Sequence, residues 1–194
     1  MQDISQPRLV PGRECGECLV CCIVPPIDKP EIQKLSSSAC RHCAHGGCDI
    51  YEARPPVCRS FYCAWRRTVQ LPDDWRPDKS GIFAEIEIKV APPFQPLGFS
   101  LMLVGDPLKI VRRPDFIDFV AGNVCNNIAV FMGLPGLKGK QGARLLLNTR
   151  ELLAAIAAQS RTQVKDVLEN MLSRLAAHEP APLVIVNKGH DVST

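Results

Sequence analysis

The sequence predicts an α+β fold: a cysteine-rich N-terminal module followed by a small antiparallel sheet with packed helices. Three observations predict it. Nine of the ten cysteines fall between residues 15 and 63 of the 194. Two strand-like runs, "IFAEIEIKV" (82–90) and "FSLMLVG" (99–105), come next. Apolar residues then recur at helical spacing through 114–131 and 149–178.

The totals set the class. Hydrophobic content of 46% and charged content of 22% are those of a globular chain long enough to bury a core. The opening "MQDISQPRLVPGRE" lacks the apolar centre of a secretory signal, and no run approaches the roughly 20 apolar residues of a membrane span. The expectation is therefore a cytoplasmic protein with no membrane partner and with reduced thiols. A net charge of +3 and 6% aromatic residues offer neither a basic stripe nor a stacking platform, so no nucleic acid is expected. Residues 1–14 read as a loose lead-in, 15–67 as the cysteine module, and 68–194 as the α+β domain.

In the module the large apolar residues are sparse, too few to offset an ordering entropy of about 1–2 kcal/mol per residue. Reduced thiols at tight spacing suggest metal as the alternative. Thiolate is a soft ligand for zinc and for iron–sulfur clusters, and a Cys-x-x-Cys turn brings two sulfurs to one ion without strain. The candidate ligands are Cys15, Cys18, Cys21, Cys22, Cys40, Cys43, Cys48, Cys58 and Cys63. Two groupings are open. The turns Cys15–Cys18 and Cys40–Cys43 could share one ion, leaving five sulfurs for a second; or Cys15, Cys18 and Cys21 could take three corners of one cluster. The adjacent pair Cys21–Cys22 argues against a plain zinc knuckle, since successive side chains point apart. Such a pair serves two neighbouring ions, or leaves one thiol free. Arg54, Arg59, Arg66 and Arg67 are the expected donors to the cluster's negative charge. His42 and His45 sit among the ligands and more often face solvent in such a loop.

The later elements follow from periodicity. In "IFAEIEIKV", Ile82, Ala84, Ile86, Ile88 and Val90 alternate with Glu85, Glu87 and Lys89, as in a half-buried strand. A Pro-rich turn leads to the second strand. A helix starts near Pro114, with Phe116, Phe119, Val120, Val124, Ile128 and Phe131 on one stripe, and ends at Gly133 and Pro135. Cys125, inside that helix, reads as a buried structural thiol. "ARLLLN" (143–148) is a strand; 149–178 forms two helices broken near Ser160; "PLVIVN" (182–187) is a last short strand. No dinucleotide, P-loop, nucleophile-elbow or zinc-protease motif occurs. "GLPGLKGKQG" (133–142) lacks Walker spacing and reads as a flexible surface loop.

The run Cys15-x-x-Cys18-x-x-Cys21-Cys22, with "CDIYEARPPVCRSFYC" after it, resembles the YkgJ-like cysteine-cluster family, described as zinc- or iron-chelating. Cys15, Cys18, Cys21, Cys22, Cys48, Ile50, Tyr51, Arg54, Pro55, Cys58, Arg59 and Phe61 carry the match, over about a quarter of the chain. Leu19 stands where that family commonly has glycine. The resemblance implies metal binding and leaves the metal open. Together these readings predict a protein that binds a metal ion, zinc or iron, the latter as an iron–sulfur cluster. The alternatives are a cluster-dependent redox or group-transfer enzyme, or a metal-stabilised interaction module.

Overall fold

The computed structural model describes residues 8–44 and 46–183. The elements of the module are short. A one-turn helix, α1 (Val20–Ile23), precedes the hairpin β1 (Ile27–Lys29)–β2 (Ile32–Lys34) and the two-residue ladder β3 (Cys43–Ala44)–β4 (Gly47–Cys48). Single turns α2 (Pro56–Arg59), α3 (Ala64–Arg67) and α4 (Pro77–Ser80) then lead into the second region. There strands β5 (Ile82–Ile88) and β6 (Leu97–Leu103) are followed by helices α5 (Pro107–Val111) and α6 (Pro114–Cys125). Strands β7 (Val130–Leu134) and β8 (Ala143–Leu146) and helices α7 (Arg150–Ala157) and α8 (Arg161–Ala176) complete it. Among the described residues no helix is long and apolar enough to cross a membrane.

The fold is α+β, as expected, but its main sheet is mixed. The order is β5-β6-β7-β8, with β5–β6 and β7–β8 antiparallel and β6–β7 parallel. The parallel pair exists because α5 and α6 carry the chain across between β6 and β7, the crossover that parallel strands require. The expected long helix through Phe131 is thereby corrected: α6 stops at Cys125. Asn127 takes the left-handed conformation (φ 55), which ends the helix, and the run "IAVFM" enters the sheet instead. A short apolar run satisfies both periods, so spacing alone could not separate them. The break at Ser160 is where expected: its hydroxyl accepts the N–H of Gln163 at 3.3 Å and caps α8. Of the strand expected over 182–187, residues 184–187 lie outside the described residues, and Pro182 bridges Lys140.

One face of the sheet carries the core. Ile82, Ala84, Leu101, Leu103, Val130 and Met132 pack with Phe116, Val120 and Val124 of α6 and Leu152, Leu168 and Met171 of α7 and α8. Trp75 is 1% exposed, donates its indole N–H to Asp115 at 2.5 Å, and stacks on Phe116. The other face of β5 is covered too. Phe83 is buried beside Phe61, ring centroids 6.0 Å apart, so the module packs where the sequence placed the polar side of the strand. Glu85, two residues on, is drawn under the same cover. Ile88, on the expected apolar face, is exposed at the strand's far end.

In the loop 135–142, Leu137, Lys138, Lys140, Gln141 and Gly142 are exposed, as in a surface loop, while Gly136 is buried. A Cβ at Gly136 would lie 2.2 Å from the Lys140 carbonyl oxygen, so only glycine fits. Its carbonyl accepts the Ser37 hydroxyl at 2.6 Å, joining module to sheet. Arg13 makes a second joint. Buried at 7% exposure, it donates to the carbonyls of Trp65 (2.6 Å), Thr68 (2.9 Å) and Leu71 (2.6 Å) and to Asp73 (2.8 Å).

Candidate metal centre

All ten cysteines are free thiols. The nine of the module come from separate short elements, each shaped by local hydrogen bonds. Gly16 adopts φ 52, letting the chain turn so that the Cys18 N–H reaches the Cys15 carbonyl at 2.9 Å. Helix α1 then holds Cys21 and Cys22 on successive positions, about 100° apart around its axis. The Cys40 N–H donates to the Cys22 carbonyl at 2.9 Å, bringing the second Cys-x-x-Cys turn beside α1. In that turn the Cys43 N–H donates to the Cys40 carbonyl (2.9 Å), and the Cys40 sulfur accepts the His42 N–H at 3.5 Å. Cys43 faces Cys48 across the β3–β4 ladder. Pro55 and Pro56 set up α2, which presents Cys58. Cys63 is the N-cap of α3, and its carbonyl accepts the Arg66 N–H at 3.1 Å.

A cavity of about 500 Å³ opens between the module and the sheet. Cys15, Cys18, Cys21, Cys22, Cys40, Cys48 and Cys58 line it, together with Ile32, Tyr51, Phe61, Tyr62 and Glu85. The sulfurs form two groups joined through the adjacent pair: Cys15, Cys18 and Cys63 on one side and Cys22, Cys40, Cys43, Cys48 and Cys58 on the other, with Cys21 coupled to Cys15 and Cys18 but most strongly to Cys22. Among the described residues no group of three or more Cys, His, Asp or Glu side chains stands together so as to hold a metal ion. The donor chemistry nonetheless fits a thiophilic metal: free, half-buried thiols on short turns, one of which, Cys40, accepts a backbone N–H at its sulfur.

The charges around the two groups differ. Burial pushes the Cys18 thiol up to about 11, helped by the carboxylate of Asp78 and opposed by N–H groups of Val20 and Asp78. In the adjacent pair the hydrogen bond between the thiols comes first: it raises Cys21, the donor, and lowers Cys22 to about 7. Burial opposes the drop at Cys22, and Lys34 and Arg54 reinforce it. Cys43, Cys58 and Cys63 are all raised, chiefly by burial. The adjacent cysteines are thus unlike, one a protonated thiol and the other the readier thiolate.

Of the expected donors, Arg54 acts on Cys22 and Cys58 while lying over the Tyr51 ring at 3.6 Å, and Arg66 acts on Cys63. Arg59 and Arg67 are exposed. His42 has both ring nitrogens engaged, Nδ1 3.3 Å from Asp49 and Nε2 accepting from Arg41 at 3.2 Å. His45 lies outside the described residues. Cys125 corrects the expectation of burial: it is exposed at the end of α6, one step of about 100° beyond the buried Val124.

Three site residues were not legible in the sequence. Lys34 is buried (7% exposed), donates to the carbonyls of Ile23 and Leu35 at 2.9 and 3.3 Å, and is drawn down by burial against the pull of Cys40 and Cys22. Asp78, paired with Arg76 at 2.6 Å, is held below its ordinary value first by that guanidinium and, least, by the Cys18 thiol. Glu85 stands on the cavity wall, raised by burial and by Glu87. None belongs to a motif; each arrives by packing of elements distant in sequence. No protein-family model, curated protein or solved structure matches the chain.

Proposed function

We propose that this chain is a metal-binding cysteine-cluster protein, cytoplasmic, holding zinc or an iron–sulfur centre through the nine thiols of its module, as the resemblance to YkgJ-like proteins implies. One observation carries the reading. From Arg8 to Cys63 the single buried hydrophobic side chain among the described residues is Ile32; the other buried residues there are Arg13, Lys34 and Ser36. A segment ordered around thiols and buried polar groups, not around a core, needs another source of stability. Structural zinc in small peptides contributes about 10–16 kcal/mol. The group would supply that stability, and in an iron–sulfur form also a redox centre.

The test is isolation without oxygen, followed by metal and acid-labile sulfide analysis and a visible spectrum. At least one zinc, or iron with matching sulfide, is expected per chain. Folded, metal-free protein with paired disulfides would end the reading. A second reading, a cluster-dependent redox or group-transfer enzyme, is favoured by the cavity, whose wall includes the carboxylate of Glu85 and the rings of Tyr51, Phe61 and Tyr62. A reversible one-electron titration of the isolated protein would support it, and a redox-silent zinc protein would exclude the redox form.

A further inference from the structure

We propose that the cavity between module and sheet binds a small organic amine, its apolar body among the cavity's rings and its ammonium paired with the carboxylate of Glu85. The proposal goes beyond the metal-binding reading and does not rest on it, because the anchor is a carboxylate of the sheet and not a thiol.

Room comes first. The cavity holds about 500 Å³, inside the range of about 300–1,000 Å³ that small-molecule pockets occupy. A metal ion held by sulfurs at the wall takes less than the ~30 Å³ share of one water, so most of that space stays open beside it. The wall is mostly apolar, as in such pockets, with Ile32, Ile50, Val57 and the rings of Phe61 and Tyr62 upon it. Phe61 packs on Phe83, itself 1% exposed on β5, so this part of the wall is fixed to the sheet.

Charge then selects the ligand. Glu85 follows Phe83 by two residues in β5, which puts both side chains on the face that the module covers. The Glu85 carboxylate lines the cavity with no hydrogen-bond or ion-pair partner among the described residues. Arg144, whose charge it feels, is paired with Glu87 at 2.6 Å. The other charged groups of the wall are engaged or exposed. Arg54 donates to the Tyr51 carbonyl at 2.7 Å and lies over its ring; Asp28 accepts from Gln33 at 3.1 Å; Lys29 is exposed. A half-buried carboxylate without a partner carries a desolvation cost that an ammonium recovers. A neutral or anionic ligand of the same shape forgoes that pairing.

The experiment uses the full chain isolated without oxygen, with metal content measured on the same sample. Phenethylamine, phenethyl alcohol and phenylacetate carry one body with a cationic, a neutral and an anionic end, and their Kd values are compared by NMR titration. Phenethylamine should bind at least about tenfold more tightly than the alcohol, and phenylacetate more weakly than either. Glu85→Gln keeps the shape of the wall, so its thermal midpoint and metal content should hold while the amine loses its margin over the alcohol. Glu169→Gln removes the same charge from α8, which does not line the cavity, and should bind as wild type does. Equal binding of the three probes, binding of none, or the same weakening in both variants overturns the proposal. The wild-type comparison decides even where Glu85→Gln fails to fold. Amine binding by a folded protein that carries no metal would overturn the metal-binding reading alone.

Discussion

Among the described residues, 26 hydrophobic side chains are buried between Ala64 and Leu175, and one, Ile32, between Arg8 and Cys63. The two regions nevertheless form one body, because the module covers the second face of β5 and is pinned by Arg13 and by Ser37. The difference teaches what a missing core looks like. In the α+β region side chains fill space among strands and helices, and polar groups pair at its edge, as Trp75 does with Asp115. In the module the buried groups are charged or polar, held by carbonyls, and the sulfurs face a cavity. On the proposed reading, order there depends on what the thiols hold, and order in the sheet does not.

The sharpest break in this comparison is removal of metal. Chelation should expose amides across residues 15–63 while the β5–β8 sheet and α6–α8 stay protected, read by hydrogen exchange. Uniform protection before and after would show that the module stands without metal. The converse change strikes the core. Leu168, fully buried on α8, should cost about 2–5 kcal/mol when changed to Ala, with metal content unchanged; urea denaturation and metal analysis check both halves. A fall in metal content would mean the regions are not separable in this way.

The joint between them comes next. Arg13→Met leaves three carbonyls without their guanidinium donor and should lower stability by about 1–3 kcal/mol. Exchange should rise first around Val10, whose N–H donates to the Arg66 carbonyl at 2.8 Å.

A pH series tests a polar pair of the second region. Burial pushes Asp115 up, but hydrogen bonds from Arg113 and Trp75 outweigh it and hold the carboxyl below its ordinary 3.8. Its folded-state value being depressed, its contribution is complete above that ordinary value and is lost as pH falls through the lowered one. Asp115→Asn should be less stable near neutrality, and the gap to wild type should narrow below pH 3.8. A gap independent of pH would mean that the pair contributes nothing as an ion pair.

The smallest effect is expected at Cys125→Ser. An exposed thiol becomes an exposed hydroxyl, so stability should move by less than about 0.5 kcal/mol and metal content not at all.

The sequence by itself determined the gathering of nine thiols in a segment too poor in apolar residues for a core. It also determined the β5 and β6 strands, the Ser160 break with its cap, and the start of α6 at Pro114. These are local signals: a turn, a cap and an alternation each act within a few residues. Tertiary structure alone decided the rest. Whether "IAVFM" continues a helix or enters a sheet depended on β6 lying beside it. The polar side of β5 became a covered face because the module packs there, which placed Glu85 on a cavity wall. Cys125 fell on the wrong side of its helix for burial, while Lys34 and Arg13 were buried by carbonyls supplied from elsewhere. Cysteine spacing predicts which sulfurs share a turn. Which turns come together is set by long-range contacts such as the Cys40–Cys22 backbone bond, and no interval in the sequence records them.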